Sequence, residues 1–203
     1  RHLFVPSGLH HRAYEDSPLP IGHGQTISQP WVHAKYLQLL ALTGRERVLE
    51  IGTGSGFQTA LLTRLAGQIF SIERIPELAE QARASLRACE IEQVIQRVGD
   101  GTLGWPEHGP YDAILVGAAS PDVPAPLLDQ LAHAVDRGKA PLQRRAQLLR
   151  QQIAPFAQDV PSLRMTDQDV PAPGGRNHPG GNLPGEGAAV LVPQVLRSQR
   201  NAG

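Results

Sequence analysis

Three glycines, Gly52, Gly54 and Gly56, stand in "LEIGTGSGFQ" between a short apolar run and a helical pattern. Glycine tolerates the backbone of a tight turn and leaves main-chain atoms bare for a ligand to approach. A helix behind the turn adds unpaired N–H groups. This is the chemistry of a nucleotide-type site. The spacing G-x-G-x-G departs from the dinucleotide pattern G-x-G-x-x-G, because Phe57 and Gln58 follow Gly56. Acids flank the turn. Glu50 precedes it, and Glu73, about twenty residues past the first glycine, ends the next apolar run, where a carboxylate can accept both hydroxyls of a ribose. Asp100, in "GDG" at 99–101, ends a third run and could accept from an exocyclic amine. A second chemistry-bearing stretch lies upstream: "DSPLPIGHGQTISQP" (16–30) carries three prolines, His23, Thr26 and Ser28 and almost no charge.

The elements that must position these groups alternate. "RVLEIG" (47–52) is a short apolar run of the buried-strand type, "QIFSIER" (68–74) reads as a second strand, "QVIQRVGDG" (93–101) is a third strand candidate and "YDAILVGAA" (111–119) is the clearest fourth one. Between them, "FQTALLTRLAG" suits a short helix stopped by Gly67. "PELAEQARASLRAC" suits another, entered through Pro76 with Leu78, Ala82 and Leu86 four apart. "PAPLLDQLA" reads as a further helix. "SQPWVHAKYLQLLALTG" reads as one entered through Pro30 and closed by Gly44, with Val32, Tyr36, Leu39 and Leu40 on one face. Such alternation predicts an α/β fold: a Rossmann-like, doubly wound, mostly parallel sheet with helices on both faces and right-handed crossovers.

Bulk properties narrow the function. The 203 residues suffice for one domain and a tail, and 19 Lys and Arg balance 19 Asp and Glu. Neither nucleic acid nor an anionic membrane is expected as a partner on charge. The single cysteine, Cys89, forms no internal disulfide and is expected to pack. No run approaches a membrane span, and no apolar signal segment opens the chain, so a soluble protein is expected; it is further read as cytoplasmic and monomeric. The histidines show no metal-ligand spacing, and no metal is expected.

In order, the acid, glycine turn, ribose acid and third acid resemble class I S-adenosylmethionine-dependent methyltransferases. With "AYEDSPLPIGHGQTISQP", "LEIGTGSGFQTALL", "GDG" and "YDAILVGAA", residues 1 to about 131 resemble the protein-L-isoaspartate (D-aspartate) O-methyltransferase family. The resemblance implies S-adenosyl-L-methionine as methyl donor and, as substrate, damaged peptides and proteins containing isoaspartyl residues. Ser28 would be the catalytic serine, with Thr26, Ile27 and His33 at the substrate. Glu50, Gly52, Thr53, Gly54, Gly56, Glu73, Arg74, Asp100 and Gly101 would hold the cofactor. The nucleophile would be a carboxylate, ionised at pH 7 without a general base. A hydroxyl on a proline-stiffened loop can hold such an anion without burying it in a full salt bridge. Simpler roles compete: Ser28 as a helix N-cap, Asp16 in an Asx turn, His23 as a surface group, and Trp31 in packing.

The implied organisation is a methyltransferase domain over 1–131, with a substrate loop at 14–30 and a cofactor core at 45–131. The abrupt "RHLFVP" start suggests a missing upstream segment. After Leu131 the family's apolar strand and hairpin are absent. The sheet is therefore expected to be incomplete at its C-terminal end, with an open edge beside the fourth strand. Residues 132–203 read as an atypical tail or a shifted reading frame: a helix at about 140–154, a Pro/Gly-rich stretch at 157–187, and an edge strand in "AAVLVPQVL", limited by Pro193. Two alternatives stay open: a cofactor-binding domain made inactive by that tail, and an NAD-dependent oxidoreductase, against which the glycine spacing argues.

Overall fold

The computed structural model describes residues 1–117, 123–131 and, as a backbone strand, 194–197. The expected helix at 140–154 and the Pro/Gly-rich stretch at 157–187 lie outside the described residues. The four expected parallel strands form: β3 (Arg47–Ile51), β4 (Gln68–Glu73), β5 (Val94–Val98) and β6 (Ala113–Val116), numbered after a preceding hairpin, β1 (Leu19–Gly22) and β2 (Gln25–Ile27). A short strand β7 (Gln194–Arg197) completes a sheet of order β5-β4-β3-β6-β7. All pairs are parallel except β6 with β7, where Ile114 faces Leu196 and Leu115 faces Val195. The edge of β6, expected to be open, is instead paired, by residues just past Pro193, which itself lacks the N–H a ladder needs.

Alternation along the strands divides the core. Leu49, Ile51, Phe70, Ile72, Ile114 and Val116 face α4 (Ala125–Asp129), whose Leu127 and Leu128 are buried there. Val48, Ile69, Ala113 and Leu115 face the other way, against Tyr36 and Leu40 of α1 (Pro30–Leu40) and Leu62 of α2 (Phe57–Leu62). On that side α3 (Pro76–Ala88) buries Leu78 and Leu86 with Phe4, Val5 and Ile21. Both faces being covered explains why β3, β4 and β6 read mainly as apolar runs; β5, at the sheet edge, carries Gln96 and Arg97 and is only partly buried.

Helix α1 stops at Leu40, short of the expected Gly44, because Ala41 adopts a left-handed conformation (φ 43°) as its cap. The stretch 16–30, expected as a loop, contains the antiparallel hairpin. Leu19 and Ile21 are buried and alternate with exposed Pro20 and Gly22, and Gly22, His23 and Gly24, all at positive φ, make the turn. The two-residue period was short enough to be masked by the prolines.

Candidate active site

The chain runs outward through β3, β4 and β5 and then returns to β6 on the other side of β3. Ligands in open α/β sheets bind at the carboxyl ends of the strands where the order reverses. The glycine turn occupies that position at the end of β3. Gly52 (φ 90°), Gly54 (φ 54°) and Gly56 (φ 87°) all lie where a side chain would be strained. Gly56 also begins α2, packed so that a Cβ would sit 3.2 Å from Ala82 Cβ.

Each acid has a defined partner. Glu73 accepts from the Gly54 N–H (2.8 Å) and the Ile75 N–H (3.0 Å), so it braces the glycine turn from the next strand. Glu50 is buried, and its Oε2 accepts from the Thr59 (2.6 Å) and Ser71 (2.7 Å) hydroxyls. Its Oε1 is buried without a partner among the described residues. Burial raises the Glu50 pKa to about 7; the Thr59 and Ser71 hydrogen bonds oppose the shift and the Glu73 charge adds to it. Asp100 accepts from the N–H (2.9 Å) and hydroxyl (2.8 Å) of Thr102, which lower its pKa, with Arg74 contributing charge. Arg74 itself is exposed.

A cavity of about 60 Å³ opens beside the turn, lined by Thr26, Ile27 and Ser28 from the hairpin and by Gly52, Thr53, Gly54 and Ser55 from the turn. Glu50, His33, Gln58 and Gly117 also line it. The two chemistry-bearing stretches therefore share one space. The hairpin also roofs the turn: a Cβ at Gly54 would lie 3.5 Å from Ile21 Cδ1. Ser28 is half-buried, and Thr26 is exposed at the rim. His33 is buried, with its Nδ1 hydrogen-bonded to Gln58 Oε1. Burial, partly offset by that bond, lowers its pKa to about 4, so the ring is neutral at pH 7. With Nδ1 donating, Nε2 is an acceptor, and it has no partner among the described residues.

Several expected residues act through other atoms than their type suggests. The Thr53 hydroxyl bonds Ser71 (2.6 Å) inside the protein, leaving its main chain for a ligand. The Ile27 side chain packs in the core with Leu19 and Ile21. Gly101 is glycine for packing, since a Cβ there would collide with Ile51 Cγ2. Gly101→Ala should therefore lower stability by about 1–3 kcal/mol, read as a reduced denaturant midpoint. Ser28 is not the helix cap. Gln29 occupies that position, and Asp16 Oδ1 accepts from the Trp31 N–H (3.0 Å) across the fold, in place of a local Asx turn. Gln58, Thr59 and Ser71 were not singled out in the sequence as site residues. Their sole signal is proximity to the glycine turn and to β4.

These observations bear on S-adenosylmethionine as a ligand. The glycine turn offers bare main chain, Glu73 stands at the turn, and the orphaned Glu50 oxygen is available to a cationic group. The residues present fit the molecule.

Comparison with known proteins identifies the family. The family model for protein-L-isoaspartate (D-aspartate) O-methyltransferase matches residues 1–159, beyond the 131 covered by the motifs. A protein-L-isoaspartate O-methyltransferase of Synechococcus sp. (strain JA-2-3B'a(2-13)) is 60% identical over 132 residues, covering 65% of this chain and 54% of the relative. One from Syntrophus aciditrophicus is 59% identical over 131 residues, covering 64% and 60%. The chain thus spans between half and two thirds of the length of these relatives. A solved protein-L-isoaspartate O-methyltransferase superposes with a TM-score of 0.59 at 33% identity, covering 66% of this chain and 44% of the other. A Plasmodium falciparum protein described as a protein-L-isoaspartate O-methyltransferase, in complex with S-adenosyl-L-homocysteine, gives 0.51 at 25% identity, covering 65% and 67%. On the family match, the identities and the shared fold, this chain belongs to the protein-L-isoaspartate (D-aspartate) O-methyltransferase family.

Proposed function

We propose that this chain transfers a methyl group from S-adenosyl-L-methionine to the free carboxylate of L-isoaspartyl, and D-aspartyl, residues in damaged proteins. The observation that carries the reading is the shared cavity. Ser28 and Thr26 line it from the hairpin, while Gly52 and Gly54 line it from the turn suited to the cofactor. When bound, the cofactor supplies an electrophilic methyl on a sulfonium. The carboxylate oxygen forms the new O–CH3 bond as the S–CH3 bond breaks, and the electron pair stays on sulfur. No proton moves, so the protein needs no general base.

The task of the chain is then positional. Gly52 and Gly54 present main-chain groups, and Glu73 fixes the turn through the Gly54 N–H. Ser28 and Thr26 hold the carboxylate in line with the methyl group, and the hairpin above Gly54 excludes water. His33 Nε2, an acceptor on a neutral ring, receives a peptide N–H beside the reacting group. We also read the protein as cytoplasmic, on its lone cysteine, and as binding neither nucleic acid nor an anionic membrane, on its balanced charge. Among the described residues no helix is long and apolar enough to cross a membrane.

The experiment pairs an isoaspartyl peptide with its ordinary aspartyl twin and a labelled methyl donor. Base-labile label on the isoaspartyl peptide alone is expected. Label on both, or on neither, overturns the reading. The second reading, a domain that binds cofactor without turnover, draws on the partial span of its relatives. It predicts cofactor binding by calorimetry with neither peptide labelled.

A further inference from the structure

Arg1 is distant in sequence from every site residue described above, yet its side chain is buried and its guanidinium donates to four main-chain carbonyls. Nη1 reaches Ala13 O (2.5 Å) and Glu15 O (3.3 Å). Nη2 reaches Ser17 O (3.0 Å) and Ser28 O (2.8 Å). Ser17 precedes β1 and Ser28 follows β2. One nitrogen therefore clamps the strand entering the hairpin to the strand leaving it, and does so at Ser28, which lines the cavity beside the glycine turn. On the far side of Ser28, Asp16 Oδ1 holds the Trp31 N–H at 3.0 Å. Ser28 is thus tied at its own carbonyl through Arg1, and three residues on at Trp31 by Asp16, both ties leading to the 13–17 segment.

We propose that Arg1 is a positioning residue for methyl transfer: its guanidinium sets the main chain of Ser28, and so the place of the Ser28 hydroxyl, relative to the glycine turn. This rests on the role given to Ser28 above. In-line transfer depends on sub-ångström placement of the carboxylate, and its holder can be no better placed than its own backbone. The planar guanidinium spans acceptors on two sides at once. A lysine ammonium is a compact point charge with three donors and cannot reproduce that fork. Among the described residues the hydrogen bonds of the Arg1 guanidinium go to Ala13, Glu15, Ser17 and Ser28 and none to β3 or β4, which build the cofactor side of the cavity.

The test uses the full chain with Arg1→Ala and Arg1→Lys, an isoaspartyl peptide, and S-adenosyl-L-homocysteine as a binding probe. In both variants kcat is expected to fall about tenfold or more, with affinity for the probe unchanged. Millimolar methylguanidinium should restore part of the lost kcat to Arg1→Ala, whereas sodium chloride at equal concentration should not. A structural role alone would lower the unfolding midpoint without that rescue. Should Arg1→Ala fail to fold, the kcat and probe affinity of Arg1→Lys decide. Wild-type kcat in Arg1→Lys, probe affinity falling in step with kcat, or a folded Arg1→Ala without rescue would each overturn the proposal. A wild-type chain that labels no peptide overturns the functional reading instead. An active wild type whose variants keep its kcat overturns the role of Arg1 alone.

Discussion

Ser28→Ala should lower kcat for an isoaspartyl peptide by about 100-fold while leaving the affinity for S-adenosyl-L-homocysteine unchanged. The reason lies in how the cavity is divided. Ser28 comes from the end of β2, whereas the cofactor side is built by the glycine turn and its brace from Glu73. Opposite charges vanish along the reaction, so a strong cation at the carboxylate would stabilise the ground state more than the transition state. A hydroxyl orients the anion without that penalty. Among the described residues Ser28 is not engaged as the cap of α1, because Asp16 serves Trp31. Removing its hydroxyl therefore leaves helix and hairpin intact. Parallel loss of kcat and probe affinity would show that Ser28 supports the cofactor side. An unchanged kcat would remove it from the reaction altogether.

The second large effect concerns Glu50 and pH. In the free protein burial raises its pKa to about 7, against the hydrogen bonds from Thr59 and Ser71 and with help from the Glu73 charge. A cationic ligand favours the carboxylate and lowers the pKa in the complex. Binding then releases a proton wherever Glu50 is protonated in the free state. Affinity for S-adenosylmethionine should rise by up to about tenfold per pH unit below pH 7 and flatten above it. Titration calorimetry in buffers of differing ionisation enthalpy measures the released proton directly. Glu50→Gln should abolish the slope. The sign for stability is opposite. The folded pKa lies above the unfolded one, near 4.3, so the unfolded chain loses its proton first. The free protein should thus weaken as pH rises from about 4.3 to about 7, by on the order of 3 kcal/mol, and then level off. Glu50→Gln, whose amide oxygen can still accept from Thr59 and Ser71, should be the more stable protein at pH 8. A pH-independent affinity, or a wild type that gains stability across this interval, would show that Glu50 is not the titrating group.

The elements around the site were legible because they are coded locally. Three apolar runs and the mixed run "QVIQRV", each bounded by glycine or proline, became the four parallel strands. Pro30 and Pro76 did open α1 and α3, since proline fits the first helical turn. The edge strand after Pro193 was legible for the complementary reason, a missing donor. The hairpin was not. Its strands have four and three residues, and its prolines imitate a loop.

The motifs pointed to the family by resemblance, whereas the residues by themselves determined the order of the four parallel strands and the helices between them, and the glycine turn between β3 and α2. Each depends on residues within one turn or one strand of each other, where periodicity and glycine's conformational range act directly. Tertiary structure alone decided who partners whom. Glu50 meets Ser71 from 21 residues away, Asp16 reaches Trp31 across 15, and Arg1 reaches Ser28 across 27. No period in the chain encodes such meetings. They arise when strand register and hairpin docking bring buried polar groups together, and each such group must then find a partner or remain, like Glu50 Oε1, open to a ligand.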